Sequence, residues 1–85
     1  MKAYMVFVGN PLDGCLLVFE KTRGKAKMHW WDIFDYIEVS ATREKRYDKY
    51  IKDDTPMEFM DNSDLLAYAP EAQPFYTEEV ENEIN

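Results

Sequence analysis

The chain predicts a single α+β domain: an antiparallel β-hairpin joined by a third strand, one main helix packed on that sheet, short C-terminal helical turns and an acidic tail. Three patterns carry this. Two apolar runs, residues 3–8 and 15–19, flank the turn-forming stretch NPLDG. Ala26, Trp30, Ile33 and Phe34 recur at helical spacing. Ile37, Val39 and Ala41 then alternate with Glu38, Ser40 and Thr42, as in a half-buried strand.

Each element has a local cause. AYMVFV (residues 3–8) is apolar on both alternations, so its strand is expected to be covered on both faces. Pro11, Asp13 and Gly14 suit a turn, and CLLVF (residues 15–19) returns as the second strand of the hairpin. Thr22 is placed to cap a helix over residues 23–34, whose apolar stripe needs the hairpin face as its floor. Residues 43–52 (REKRYDKYIK) carry Tyr47, Tyr50 and Ile51 at the spacing of one helical side, and they also fit an extension of the third strand. Thr55-Pro56-Met57-Glu58 has the form of a capping box with Pro at the first helical position, which predicts a short helix there. Ser63 or Asp64 would cap a last helical turn through Leu65, Leu66 and Tyr68, ending before Pro70. The compact unit is expected over residues 1–69, with residues 70–85 an acidic, Pro-containing, solvated segment.

Composition narrows the classes of function. At 85 residues the chain is near the lower limit for a self-sufficient core, yet 46% of it is hydrophobic and 15% aromatic, so that core can be dense. Cys15 is the one cysteine, which excludes an intramolecular disulfide and a cysteine-based zinc site. No run approaches the roughly 20 apolar residues of a membrane span, so a soluble protein of the cytoplasm is the expectation. His29 is the one histidine, and the three glycines are scattered, so neither a histidine metal cluster nor a phosphate loop is present. Cys15 opens an apolar strand and His29 sits on a Trp-rich helix; a small buried hydrophobe and a partly buried ring are their expected roles. Asp32 with Asp35 and Asp53 with Asp54 lack histidine neighbours. A non-enzyme without cofactor or metal is the reading.

Charge is the sharpest signal. All ten Lys and Arg lie in residues 1–52 against seven acids, net +3, whereas residues 53–85 hold ten acids and no base, net −10. One-sign blocks of this kind mark interaction surfaces or tails. Asp53, Asp54, Glu58, Asp61, Asp64, Glu71, Glu78, Glu79, Glu81 and Glu83 would imitate a phosphate ladder if ordered on one face. They could then meet a partner with a basic surface; a solubilising tail is the competing reading. The acidic balance disfavours direct nucleic-acid binding, because the summed field repels phosphate. The alternative is an anion or nucleotide site. Arg23, Lys25 and Lys27 occupy the first two turns of the main helix, where cations are disfavoured unless an anion offsets them. Arg43 and Arg46 sit among tyrosines that could stack on bases. An ordinary solvated lysine face competes here, as does a fold-back of the acidic half onto this basic end. An exposed Trp31 or an unpaired hairpin edge would allow a homodimer.

Residues 1–50 resemble small bacteriophage-encoded proteins of unknown function, through the strand–turn–strand KAYMVFVGNPLDGCLLVFEKT, the helix start TRGKAK and the strand IEVSATRE. These motifs are structural and cover a little over half the chain. What the resemblance implies is a phage setting, in which small acidic proteins bind and block host factors. The expected function is thus non-catalytic: binding and inhibition or modulation of a host nucleic-acid-handling or defence protein, inside the host cell, through the acidic face.

Overall fold

A computed structural model describes residues 1–9, 14–31 and 38–75. It contains β1 (Lys2–Val8), β2 (Leu16–Glu20), α1 (Arg23–Trp31), β3 (Val39–Arg43), a 3₁₀ helix (Lys45–Tyr50), β4 (Met57–Phe59) and α2 (Asn62–Tyr68). The four strands form one antiparallel sheet in the order β3-β1-β2-β4. Expectations for residues 10–13, for the stretch 32–37 and for Glu78, Glu79, Glu81 and Glu83 fall outside the described residues.

The hairpin register sets Met5 opposite Leu17 and Ala3 opposite Phe19. Side chains alternate across a strand, so the sheet carries two apolar faces, as the double-sided pattern of residues 3–8 requires. On one face Tyr4, Val6, Leu16, Val18 and Val39 pack under Ala26 and Trp30 of α1. The helix begins where Thr22 predicts: its Oγ1 accepts from the Lys25 N–H at 3.2 Å, and its carbonyl accepts from Ala26 at 3.0 Å.

On the opposite face Ala3, Met5, Leu17 and Phe19 meet Tyr47, Tyr50, Phe59, Leu65, Ala69, Ala72 and Phe75. Both readings of residues 43–52 hold in part. The strand reaches Arg43, and the Glu44 N–H still donates to the Ala3 carbonyl at 2.9 Å. The chain then turns into a 3₁₀ helix, where the i, i+3 pair Tyr47 and Tyr50 eclipse and bury together.

Three expectations need correction. Thr55-Pro56-Met57-Glu58 starts no helix. Residues 57–59 form edge strand β4, because the outer edge of β2 needs backbone partners and Phe59 finds the Phe19 ring at 5.2 Å. Met57 and Phe59 point to the tyrosine-rich face, which leaves Glu58 on the α1 face. The cap of α2 is Asp61, whose Oδ1 accepts from the Asp64 N–H at 2.9 Å; neither Ser63 nor Asp64 serves. Residues 70–75 are not a solvated tail, since Ala72 and Phe75 are buried against the sheet. Tyr47 donates to the Gln73 carbonyl at 2.9 Å, and Phe75 N–H donates to Asn62 Oδ1 at 3.0 Å, which pins the segment. Phe75 closes a face that the sheet would otherwise leave open to water.

Candidate functional site

The strand pairing brings two acids and the single histidine together. Glu20 ends β2 on the same parity as Leu16 and Val18, so it faces α1. Glu58 lies opposite Val18 and therefore diagonal to Glu20 on that face, a spacing of about 7–8 Å between backbones. One imidazole fills such a gap. His29, on α1, presents Nε2 to Glu20 Oε2 at 2.7 Å and Nδ1 to Glu58 Oε1 at 2.8 Å. The Glu20 side chain is 10% exposed, His29 16% and Glu58 45%, so the cluster runs from interior to surface. Lys25 and Met28 complete the rim of an open hollow of about 410 Å³ over these three residues. Burial alone would lower the basicity of His29; the hydrogen bonds to Glu58 and Glu20, with their charges, outweigh it and hold the imidazole above its usual 6.5. Residue spacing gave no sign of this cluster. The available signal was Glu20 at the buried parity of an otherwise apolar strand, and it means nothing until β4 is recognised as a strand.

The basic residues divide by location. Arg43 grips Asp48 with both terminal nitrogens and also donates to the Ala3 carbonyl at 3.1 Å. The second Asp48 role is to accept the Ala3 N–H at 2.9 Å. Hydrogen bonds from Arg43 hold the Asp48 carboxyl below the ordinary carboxylate value against the opposing effect of burial. Arg46 pairs with Glu44 at 3.4 Å and lies over the Tyr47 ring. Lys49 lies over Tyr50, and Lys52 lies over Tyr68 while donating to its carbonyl at 2.8 Å. The tyrosines expected to stack on bases are thus core residues, and the cations beside them are engaged at home. At the start of α1, Arg23 and Lys25 are exposed and Lys27 is half-buried, with Lys25 on the rim of the His29 hollow.

The acids of the second half behave differently. Asp53 accepts the Thr55 N–H at 2.8 Å in a local turn, and Asp61 caps α2. Asp54, Asp64 and Glu71 are exposed, with the Glu71 carbonyl 3.5 Å from the Tyr50 hydroxyl. Among the described residues no ion pair joins Asp53, Asp54, Asp61, Asp64 or Glu71 to a base. Glu58 does reach α1, at His29. Among the described residues, fold-back of the acidic half onto a basic group occurs at one carboxylate, Glu58, and leaves its described neighbours to solvent. Exposed beside these acids in sequence are Met60 and Leu66.

Cys15 is buried, and burial with the nearby Glu44 charge pushes its thiol up to about 11. Among the described residues no group of three or more His, Cys, Asp or Glu side chains is arranged to hold a metal ion, and no helix is long and apolar enough to cross a membrane. Comparison with protein-family models, characterised proteins and solved structures finds no match.

Proposed function

We propose that this protein is a non-catalytic binding module whose acidic second half engages a basic surface on a partner protein. The observation that supports it is the asymmetry in how charge is spent. Arg43, Arg46 and Lys52 are engaged by Asp48, Glu44 and the Tyr68 ring, with Arg23 and Lys25 left exposed at the start of α1, whereas Asp53, Asp54, Asp64 and Glu71 all stand exposed and without ionic partners among the described residues. Exposed carboxylates left this way raise the local negative potential and speed encounter with a cationic surface. The resemblance of residues 1–50 to phage-encoded proteins makes a host nucleic-acid-handling or defence factor the fitting partner class, met in the host cytoplasm, with the carboxylates imitating the phosphates such a factor binds.

The experiment is affinity capture from bacterial lysate with the wild-type chain and with a variant carrying Asp53→Asn, Asp54→Asn, Asp64→Asn and Glu71→Gln. Asp61 is left intact because it caps α2. The expected result is a partner retained by the wild type, lost with the variant, released by raised salt and displaced by duplex DNA. Capture that ignores both the substitutions and the salt sinks the reading. Binding of a single-stranded oligonucleotide by the chain itself, weakening as salt rises, would replace it with the anion-site alternative at Arg23, Lys25 and Lys27.

A further inference from the structure

Both ring nitrogens of His29 face carboxylate oxygens within hydrogen-bond distance. A neutral imidazole has one N–H and one lone pair, so with two ionised carboxylates one of these contacts would set lone pair against lone pair. Both contacts are hydrogen bonds only when the trio carries one extra proton, as an imidazolium between two carboxylates or a neutral ring beside one carboxyl group. The three residues come from three elements: Glu20 from β2, His29 from α1 and Glu58 from β4. We propose that Glu20, His29 and Glu58 form a proton-held clasp that ties the edge strand β4 to α1, closed while the trio keeps its extra proton and released at β4 when it is lost.

Release falls at β4 for a structural reason. Glu20 is nine-tenths buried at the end of β2, which is paired on both sides by β1 and β4. Glu58 is nearly half exposed and sits on a three-residue strand with a single neighbour in the sheet. With one N–H remaining, the ring keeps the buried acid, and Glu58 turns to water. Among the described residues, the charged groups that line the hollow with the ring are Glu20 from β2, Glu58 from β4 and Lys25 from its own helix. The two carboxylates favour the extra proton and the ammonium opposes it. The imidazole is held above 6.5 in the fold, so the clasp's stabilisation is complete below 6.5 and disappears as pH rises through the folded value. The ladder to β2 and the packing of Met57 and Phe59 on the opposite face then remain as the hold on β4. This is a device for loosening the segment that leads into α2, and it stands without any partner.

Because the chain has one histidine, the test is unambiguous. The wild-type protein is titrated by NMR, following the His29 ring protons and nitrogens together with the backbone amides of Met57, Glu58 and Phe59. The expected result is a His29 midpoint above 6.5 with both ring nitrogens protonated below it. The β4 amides should share that midpoint and exchange about tenfold faster above it, after correction for intrinsic exchange, as loss of one charge-assisted hydrogen bond implies. Glu58→Gln should lower the midpoint while α1 amides stay protected, and His29→Gln should remove the pH response of β4. A midpoint at or below 6.5, β4 amides indifferent to the titration, or a β4 transition that survives His29→Gln overturns the proposal.

Discussion

Replacing Phe75 by Ala tests whether the segment after α2 is part of the core. Phe75 is fully buried and packs in the cluster built on Met5, Leu17, Phe19, Tyr47 and Leu65. Truncating a buried phenylalanine costs about 3–5 kcal/mol, from lost transfer energy and the cavity left behind. A domain of this length has about 4–13 kcal/mol in total, so the variant should lose a large share of its stability. At about 4–8 °C per kcal/mol, Tm should fall by at least about 12 °C. The assay is urea denaturation followed by circular dichroism and tryptophan fluorescence, with an unchanged m-value required for the comparison. Phe75→Leu, which keeps most of the volume, should lose less than about half as much. A loss below about 1 kcal/mol for Phe75→Ala would refute the reasoning, because that is what a solvated residue gives.

Other outcomes are equally specific. Asp48→Asn should cost about 1 kcal/mol at neutral pH, since the carboxylate serves Arg43 and the Ala3 N–H but is partly exposed. Its folded pKa lies below the ordinary value of 3.8, so the wild-type advantage should be complete above that value and vanish as pH falls through the folded one; equal stability of the two proteins at neutral pH, or an advantage that persists in strong acid, would contradict it. Asp61→Ala should destabilise by about 1 kcal/mol in the same denaturation assay and Asp61→Asn by only a few tenths, because Asn still accepts the Asp64 N–H.

Local pattern made the first half of the fold legible. The hairpin, the Thr22 cap and the alternation through Val39 and Ala41 depend on neighbours within a few residues, where propensity and periodicity act. The misreadings share a different cause. Thr55-Pro56-Met57-Glu58 carries a genuine helix-start pattern, but three residues of alternation cannot compete with it until the open edge of β2 and the Phe19 ring are in place. Ala72 and Phe75 sit among prolines and polar residues, and only the uncovered sheet face makes them core. The histidine cluster was hidden for the same reason: nine residues separate Glu20 from His29 and twenty-nine separate His29 from Glu58.

Sequence alone determined what each stretch of chain prefers: where the first three strands and the main helix form, that β1 is apolar on both sides, and that charge is split between the halves. Those are one-dimensional properties, set by side-chain chemistry and spacing. Tertiary structure decided which charges are spent. Arginines of the basic half close on Asp48 and Glu44, Glu58 closes on His29, and the exposed acids between β4 and Phe75 keep theirs, because partners are chosen by a sheet register that no local window contains.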